Sequence, residues 1–178
     1  MKTLNLSAFV KYTLPCMLLT CAGLGITRPS MADPVPTVHV AGAVAKPADW
    51  TNAQLTAGAA GPVVSIAYTL KGVSHVSHCV SLLDVIKAAQ PNFNPHIKHH
   101  DLQFIVAVQG IDGYTVDFSL AELLPELGNH AVWVALDEDG KPLVDETGPA
   151  ELVVKDDVKP GRWVHGIASI TIVDGAKT

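Results

Sequence analysis

The sequence predicts an α+β fold, with mixed or antiparallel β-sheets and a few short helices. Three observations point to it. Short segments rich in valine, isoleucine and threonine recur along the chain, bounded by glycine, proline, asparagine or aspartate. Residues 81–89 alone carry a sustained apolar stripe at helical spacing. No internal repeat or low-complexity tract points to a solenoid or a disordered array.

After an extended Asp33-Pro34-Val35-Pro36 lead-in, residues 37–44 read as a strand and residues 46–50 as a turn. Residues 51–55 form one helical turn, and residues 57–62 are a small-residue linker into a strand at 63–70. Lys71-Gly72 is a turn, and residues 73–76 return as a short strand. In the helix at 81–89 the apolar side chains are Leu82, Leu83, Val85 and Ile86; Ser81 is the expected N-cap, and Gln90-Pro91 ends it. A polar loop over 92–100 leads to a strand at 102–108, a hairpin turn at 110–113 and a returning strand at 114–118. Residues 119–124 read as a short capped helix ended by Pro125. A strand at 131–136, with Trp133 expected in the core, is followed by an acidic turn at 137–140 and a strand at 152–154. A charged loop over 156–161 precedes the last strand at 163–173, with Gly166 as its bulge.

Residues 1–32 have the pattern of a cleaved export signal. Lys2 and Lys11 precede an apolar run over 13–26, and Ser30 and Ala32 are the small residues before a cut ahead of Asp33. An uncleaved anchor is the rival reading, but the run falls short of the roughly 20 apolar residues that span a bilayer. A lipid-attachment site at Cys21 is a second rival, with Thr20 a poor residue before the cysteine. The expectation is a single domain over 33–178, exported and without membrane insertion after cleavage.

Loss of Lys2, Lys11 and Arg28 with the leader takes the Lys+Arg count from 12 to 9 against 17 Asp+Glu, and the formal charge from −5 to −8. Such a surface repels nucleic acid and anionic lipid. It suits a small neutral or weakly cationic ligand, or a basic partner. Cys79 is then the single remaining cysteine, so no internal disulfide forms. Lying close to a helix start, Cys79 reads either as a stabilised thiolate or as a buried, inert thiol.

In the second half of the chain, SLLDVIKAA, VAVQGIDGYTVDFSLAEL, VWVALDEDGKPL and GPAELVVKDDVKPGRWVHGIASITI follow one another. The more specific pieces are Gly113-Tyr114, Gly140-Lys141-Pro142-Leu143, Gly148-Pro149 and Pro160-Gly161-Arg162-Trp163-Val164. In this order they resemble the molybdopterin-binding domain of the sulfite-oxidase type, and more closely its short, exported, stand-alone versions, over about residues 36–174. In the large enzymes of that type a cysteine thiolate binds molybdenum, from a loop before the helix that residues 81–89 resemble. The matching residues here, 63–76, contain no cysteine. The resemblance therefore implies a pterin ligand without molybdenum. Some stand-alone members sense a reduced pterin in the periplasm and report to an inner-membrane receptor that makes or degrades cyclic di-GMP; that receptor's periplasmic domain is the implied partner.

A pterin is flat, with donors and acceptors on its edge, so its site needs an aromatic face and a few placed polar groups. Trp163 is the first candidate for stacking; its rival reading is core packing at a strand start. Arg162 offers a planar fork to a ring carbonyl, or else pairs with Asp156 or Asp157. His165, two residues beyond Trp163, is expected on the same strand face, at a basic position that the resemblance places near a cofactor phosphate. Asp112 and Tyr114 lie on one hairpin, where Asp112 is a partner for the pterin amino group or simply a turn residue. Asp145 and Glu146 border the pocket or form a solvated acidic loop.

Two further functions stay open. One is a molybdopterin-dependent oxidoreductase with Cys79 as an unusual ligand. The other is a histidine-rich metal carrier, since there are 8 histidines, with His75, His78 and Cys79 in one cluster and His96, His99 and His100 in a second. Neither spacing matches a strong metal motif.

Overall fold

The computed structural model describes residues 35–177, so the expected leader and its cleavage site lie outside the described residues. Two main sheets share one hydrophobic core. The first has five strands in the order β2-β1-β11-β5-β6, from β1 (Thr37–Gly42), β2 (Ala48–Thr51), β5 (Phe104–Gly110), β6 (Thr115–Ser119) and β11 (Ile167–Asp174). The second has four strands in the order β10-β7-β4-β3, from β3 (Val64–Leu70), β4 (Val73–Ser81), β7 (Val132–Ala135) and β10 (Glu151–Val154). A two-stranded ribbon joins β8 (Asp137–Glu138) to β9 (Lys141–Pro142). The helices are α1 (Asn52–Thr56), α2 (Leu82–Ala89) and α3 (Leu120–Leu123). All strand pairs are antiparallel except β1 with β11. This is the α+β arrangement expected.

The core follows from alternation along the strands. Val38, Val40, Val106, Val108, Ile170 and Ile172 enter it from the first sheet, and Val80, Val134, Leu152 and Val154 from the second. Helix α2 adds Leu82, Val85 and Ile86. A smaller cluster of Tyr68, Cys79, Ala135 and Val153, with Trp133 and Trp163 packed on it, covers the other face of the second sheet. Trp133 thus sits on the outer cluster rather than in the main core, and its buried Nε1 has no hydrogen-bond partner.

Local sequence accounts for the helix ends. Thr51 and Gln54 close a capping box at α1, and Ser119 and Glu122 close another at α3. Ser81 is the N-cap of α2, yet its side chain makes no capping bond; Gln90 ends the helix in the left-handed region at φ 57°.

Three expectations need correction. Residues 48–51 are a strand paired with β1, not part of a turn. β4 runs on to Ser81 because β3 pairs with it as far as Cys79 and pairing with β7 carries it on through Val80 and Ser81. The last strand begins at Ile167; residues 163–166 contribute only an isolated bridge between Val164 and Leu152.

Gly42 fixes the register at the end of β1. Its φ is +100°, and a Cβ there would lie 2.1 Å from the Ile172 carbonyl oxygen. Gly42→Ala is expected to cost about 2–4 kcal/mol, from left-handed strain plus the clash with β11. Urea unfolding checks this, and an unchanged midpoint would contradict the close approach.

Candidate ligand-binding site

Between the end of β10 and the start of β11, residues 155–166 form a strap across the end of the second sheet. Leu152 and Val164 exchange backbone hydrogen bonds of 2.8 and 3.3 Å, and the Ile167 amide donates to Ala150 at 2.7 Å. Arg162 braces the strap from within. Its Nε and Nη2 donate to the two Asp157 carboxylate oxygens at 2.9 and 2.6 Å, and its guanidinium lies 4.9 Å from the Phe118 ring centroid. The hydrogen bond from Arg162 holds the Asp157 carboxyl below its usual range. The Tyr114 hydroxyl donates to the Gly161 carbonyl at 2.6 Å. These side chains therefore shape the strap: Arg162 has the carboxylate-paired role, and its fork is not free for a ligand.

Trp163 is half-buried on this strap. Its Nε1 donates to the Val154 carbonyl at 3.1 Å, which fixes the indole. Tyr68 meets it edge to face at 5.2 Å and 80°. Tyr68 is itself held: its hydroxyl shares a 3.0 Å hydrogen bond with Ser77, and His75 stacks on it at 5.6 Å. The two rings form one wall of a cleft of about 710 Å³. The β3–β4 turn, with Leu70, Lys71 and Gly72, also lines it, as does Lys155 at the strap root. That volume is within the range of small-molecule sites, and the β3–β4 turn that lines it falls inside residues 63–76, which lack a cysteine; Cys79 lies farther along β4.

The other candidate residues do not join Trp163. His165 pairs with Glu151 and lines a second hollow of about 490 Å³ with Ile111, Asp112, Glu146 and Thr147. Burial raises the Glu151 carboxyl above its usual range, although the His165 hydrogen bond works against this. Asp112 is a turn residue whose Oδ1 accepts from the Tyr114 amide at 2.9 Å. Asp145, at φ 52°, borders a third hollow of about 850 Å³ with Pro142 and Val144. Trp163 packs with Val153 and His165 pairs with Glu151, residues on one face of β10, yet the two line different hollows, and the strand does not continue through Gly166. There φ is +55°, and the Gly166 carbonyl accepts from the Ile111 amide at 2.8 Å, so the strap is drawn toward the β5–β6 turn before β11 starts. A Cβ at 166 would sit 2.6 Å from the Glu146 carbonyl oxygen.

The histidine clusters also separate. Along β4, His75 shares a face with Ser77 and Cys79, while His78 points the other way. His75 pairs with Asp139 at 3.1 Å and Glu138 at 3.3 Å, and His78 with Asp137 at 2.6 Å. His100, expected in an exposed polar loop, is buried. It accepts from the Asn94 amide on Nδ1 at 2.8 Å, so Nε2 carries the proton and donates to Asp174 at 3.1 Å. His96 reaches this pair only through its backbone amide, which donates to Asn94 Oδ1 at 3.0 Å, and His99 is the left-handed residue before the turn at His100. Among the described residues no group of three His, Cys, Asp or Glu side chains is arranged to hold a metal.

Cys79 is fully buried, and burial pushes its thiol up to about 12, with the Asp137 charge adding to the rise. Cys79 also lines none of the three hollows described, so it is not placed as a ligand to a group bound in them. The stabilised-thiolate reading fails because Cys79 lies inside β4, in the outer cluster, rather than at the helix terminus.

Sequence reasoning missed Tyr68, Lys71 and Lys155 as cleft residues. The turn at Lys71-Gly72 was readable; that it faces the strap was not, because the two segments are far apart along the chain.

No protein-family model and no curated protein matches the chain. Among solved structures it is similar to the sulfane dehydrogenase SoxCD from Paracoccus pantotrophus, with a TM-score of 0.52 and 17% identity. The likeness covers 78% of this chain, which spans 38% of that one. It supports a sulfite-oxidase-like fold with mostly antiparallel sheets and few helices, and speaks to the fold alone.

Two consequences are measurable. At pH 8, iodoacetamide should modify the Cys79 peptide more than about 100-fold more slowly in native protein than in urea, as a thiol held near the stated pKa requires. Rapid labelling of the native protein would refute its burial. Asp157, with its folded pKa below its unfolded value, contributes stability above about pH 4 that is lost as pH falls through the folded value. Asp157→Asn should flatten that acid limb in thermal melts and cost less than about 1 kcal/mol at neutral pH, because the pair is partly solvent-screened.

Proposed function

We propose that this domain is a periplasmic pterin-binding module, taking a reduced pterin without molybdenum. In this reading the leader exports the chain. The liganded domain is then recognised by the periplasmic part of an inner-membrane receptor that makes or degrades cyclic di-GMP. The observation that carries the proposal is the fixed indole of Trp163 on the wall of a cleft large enough for a bicyclic ring. Orienting the indole through the Val154 carbonyl and the Tyr68 edge lowers the ordering cost of binding. The sulfite-oxidase-like fold supports the choice of heterocycle at the level of the fold.

The oxidoreductase alternative requires a thiolate, which residues 63–76 lack, and Cys79 in β4 is fully buried and on none of the described cleft walls. The metal-carrier alternative requires His75 and His78 to converge, and β4 points them apart. Elemental analysis of protein from a molybdenum-replete host separates the first alternative from the binder.

The direct test is fluorescence titration with tetrahydro- and dihydropterins. Saturable binding is expected, and Trp163→Ala should weaken it roughly 5- to 150-fold, the range for losing one base-like stacking contact. No saturable change for any reduced pterin would refute the proposal.

A further inference from the structure

We infer that the cleft beside Trp163 takes a ligand with an anionic group, a phosphate or carboxylate, and that Lys71 and Lys155 supply the countercharge. The inference deepens the pterin-binding reading and rests on it. The chain as a whole is acidic, at −5, yet this cleft is not. Lys71 from the β3–β4 turn and Lys155 from the strap root both line it. Neither side chain makes a hydrogen bond or ion pair among the described residues; Lys155 is anchored only through its backbone amide, which donates to the Ala131 carbonyl at 3.1 Å. The single carboxylate on the same wall, Asp157, is already neutralised by two hydrogen bonds from Arg162. Among the described residues, the hollow with Asp112 and Glu146 and the one with Asp145 have no lysine or arginine on their walls. Positive charge is therefore sorted into the cleft that also carries the aromatic corner.

The backbone at Lys71 gives an independent reason. Leu70 pairs with Val73, so Lys71 and Gly72 form a two-residue hairpin turn, with φ of 50° and 83°. Both angles are positive, as a type I′ turn requires, and Asn, Asp or Gly is the low-strain residue at its first position. A lysine there adds strain that the fold does not need. What it adds is an ammonium group on a rigid root at the mouth of the cleft. Lys155 extends from the end of β10, just after Val154, whose carbonyl holds the indole. A ring against Trp163 shares its cleft with both lysines, from which an oxyanion on the ring gains charge-assisted hydrogen bonds that a neutral substituent does not.

The test uses the full chain and equilibrium titration with three reduced pterins: one with a carboxylate side chain, one with a phosphate side chain and one with a neutral hydroxymethyl side chain. The expected result is at least roughly tenfold tighter binding of an anionic pterin at low salt, a gap that shrinks as ionic strength rises. Comparing the carboxylate and phosphate arms identifies the preferred group. Lys71→Asn and Lys155→Gln should each remove roughly fivefold or more of that preference and leave the neutral pterin's affinity in place. Lys71→Asn also suits the turn, so an unchanged or higher thermal midpoint separates lost charge from lost fold. Equal affinity for neutral and anionic pterins, indifferent to both lysine variants but sensitive to Trp163→Ala, would overturn the anion inference and leave pterin binding standing. Should no pterin bind, binding of inorganic pyrophosphate is measured in its place. Binding lost in the lysine variants supports the anion site and rejects the pterin; no pyrophosphate binding overturns both.

Discussion

The last strand, β11, lies between β1 and β5, parallel to one and antiparallel to the other, with Ile170 and Ile172 buried beneath it. Each of these neighbours comes from a different stretch of sequence, so the first sheet closes only when the C-terminal segment arrives between them. Gly42 shows how tight the closure is, since its α-carbon leaves no room for a side chain beside the Ile172 carbonyl. Everything between β10 and β11 must therefore return across the end of the second sheet, and the strap is the path that return takes. The candidate site follows from this: Trp163 sits where it does because both ends of its segment are anchored in sheets.

Within the strap, charge and aromatic packing have separate tasks. Arg162 spends its fork on Asp157 and lies over Phe118, so it stiffens the loop. Trp163 and Tyr68 hold each other and the backbone, so the cleft wall keeps its shape without ligand. The same physics isolates Cys79. A sheet face covered by Tyr68, Val153 and Trp163 is too dry for a thiolate, and the outer cluster that supports the aromatic corner also keeps the sulfur protonated.

Much of the fold was legible in the sequence. The alternation along β5 and β6, the Gly110–Gly113 turn, the apolar stripe of α2 and the stop at Gln90-Pro91 are local signals, and local structure obeys them. The misreadings lie where partners, rather than neighbours in sequence, decide. Residues 48–51 carry no strong strand signal and become a strand because β1 offers an edge. Residues 163–166 look like the start of the last strand but contribute one bridge, Val164 to Leu152, and Gly166 turns the chain toward Ile111 before β11 begins. His100 was placed on the surface by its polar surroundings, whereas Asp174, far along the chain, draws it inside.

The sequence by itself determined the α+β class, the acidic balance and the residue types a site could draw on, because period, composition and residue chemistry are carried by residues close in the chain. Only the tertiary structure decided which candidates meet. It separated Trp163 from His165, Asp112, Glu146 and Asp145, turned Arg162 inward, parted His75 from His78, and brought Tyr68, Lys71 and Lys155 to the indole. The physical reason is that a cleft forms where distant segments are forced together by burial, and neither β3–β4 nor the strap carries in its own residues any record of where the other will lie.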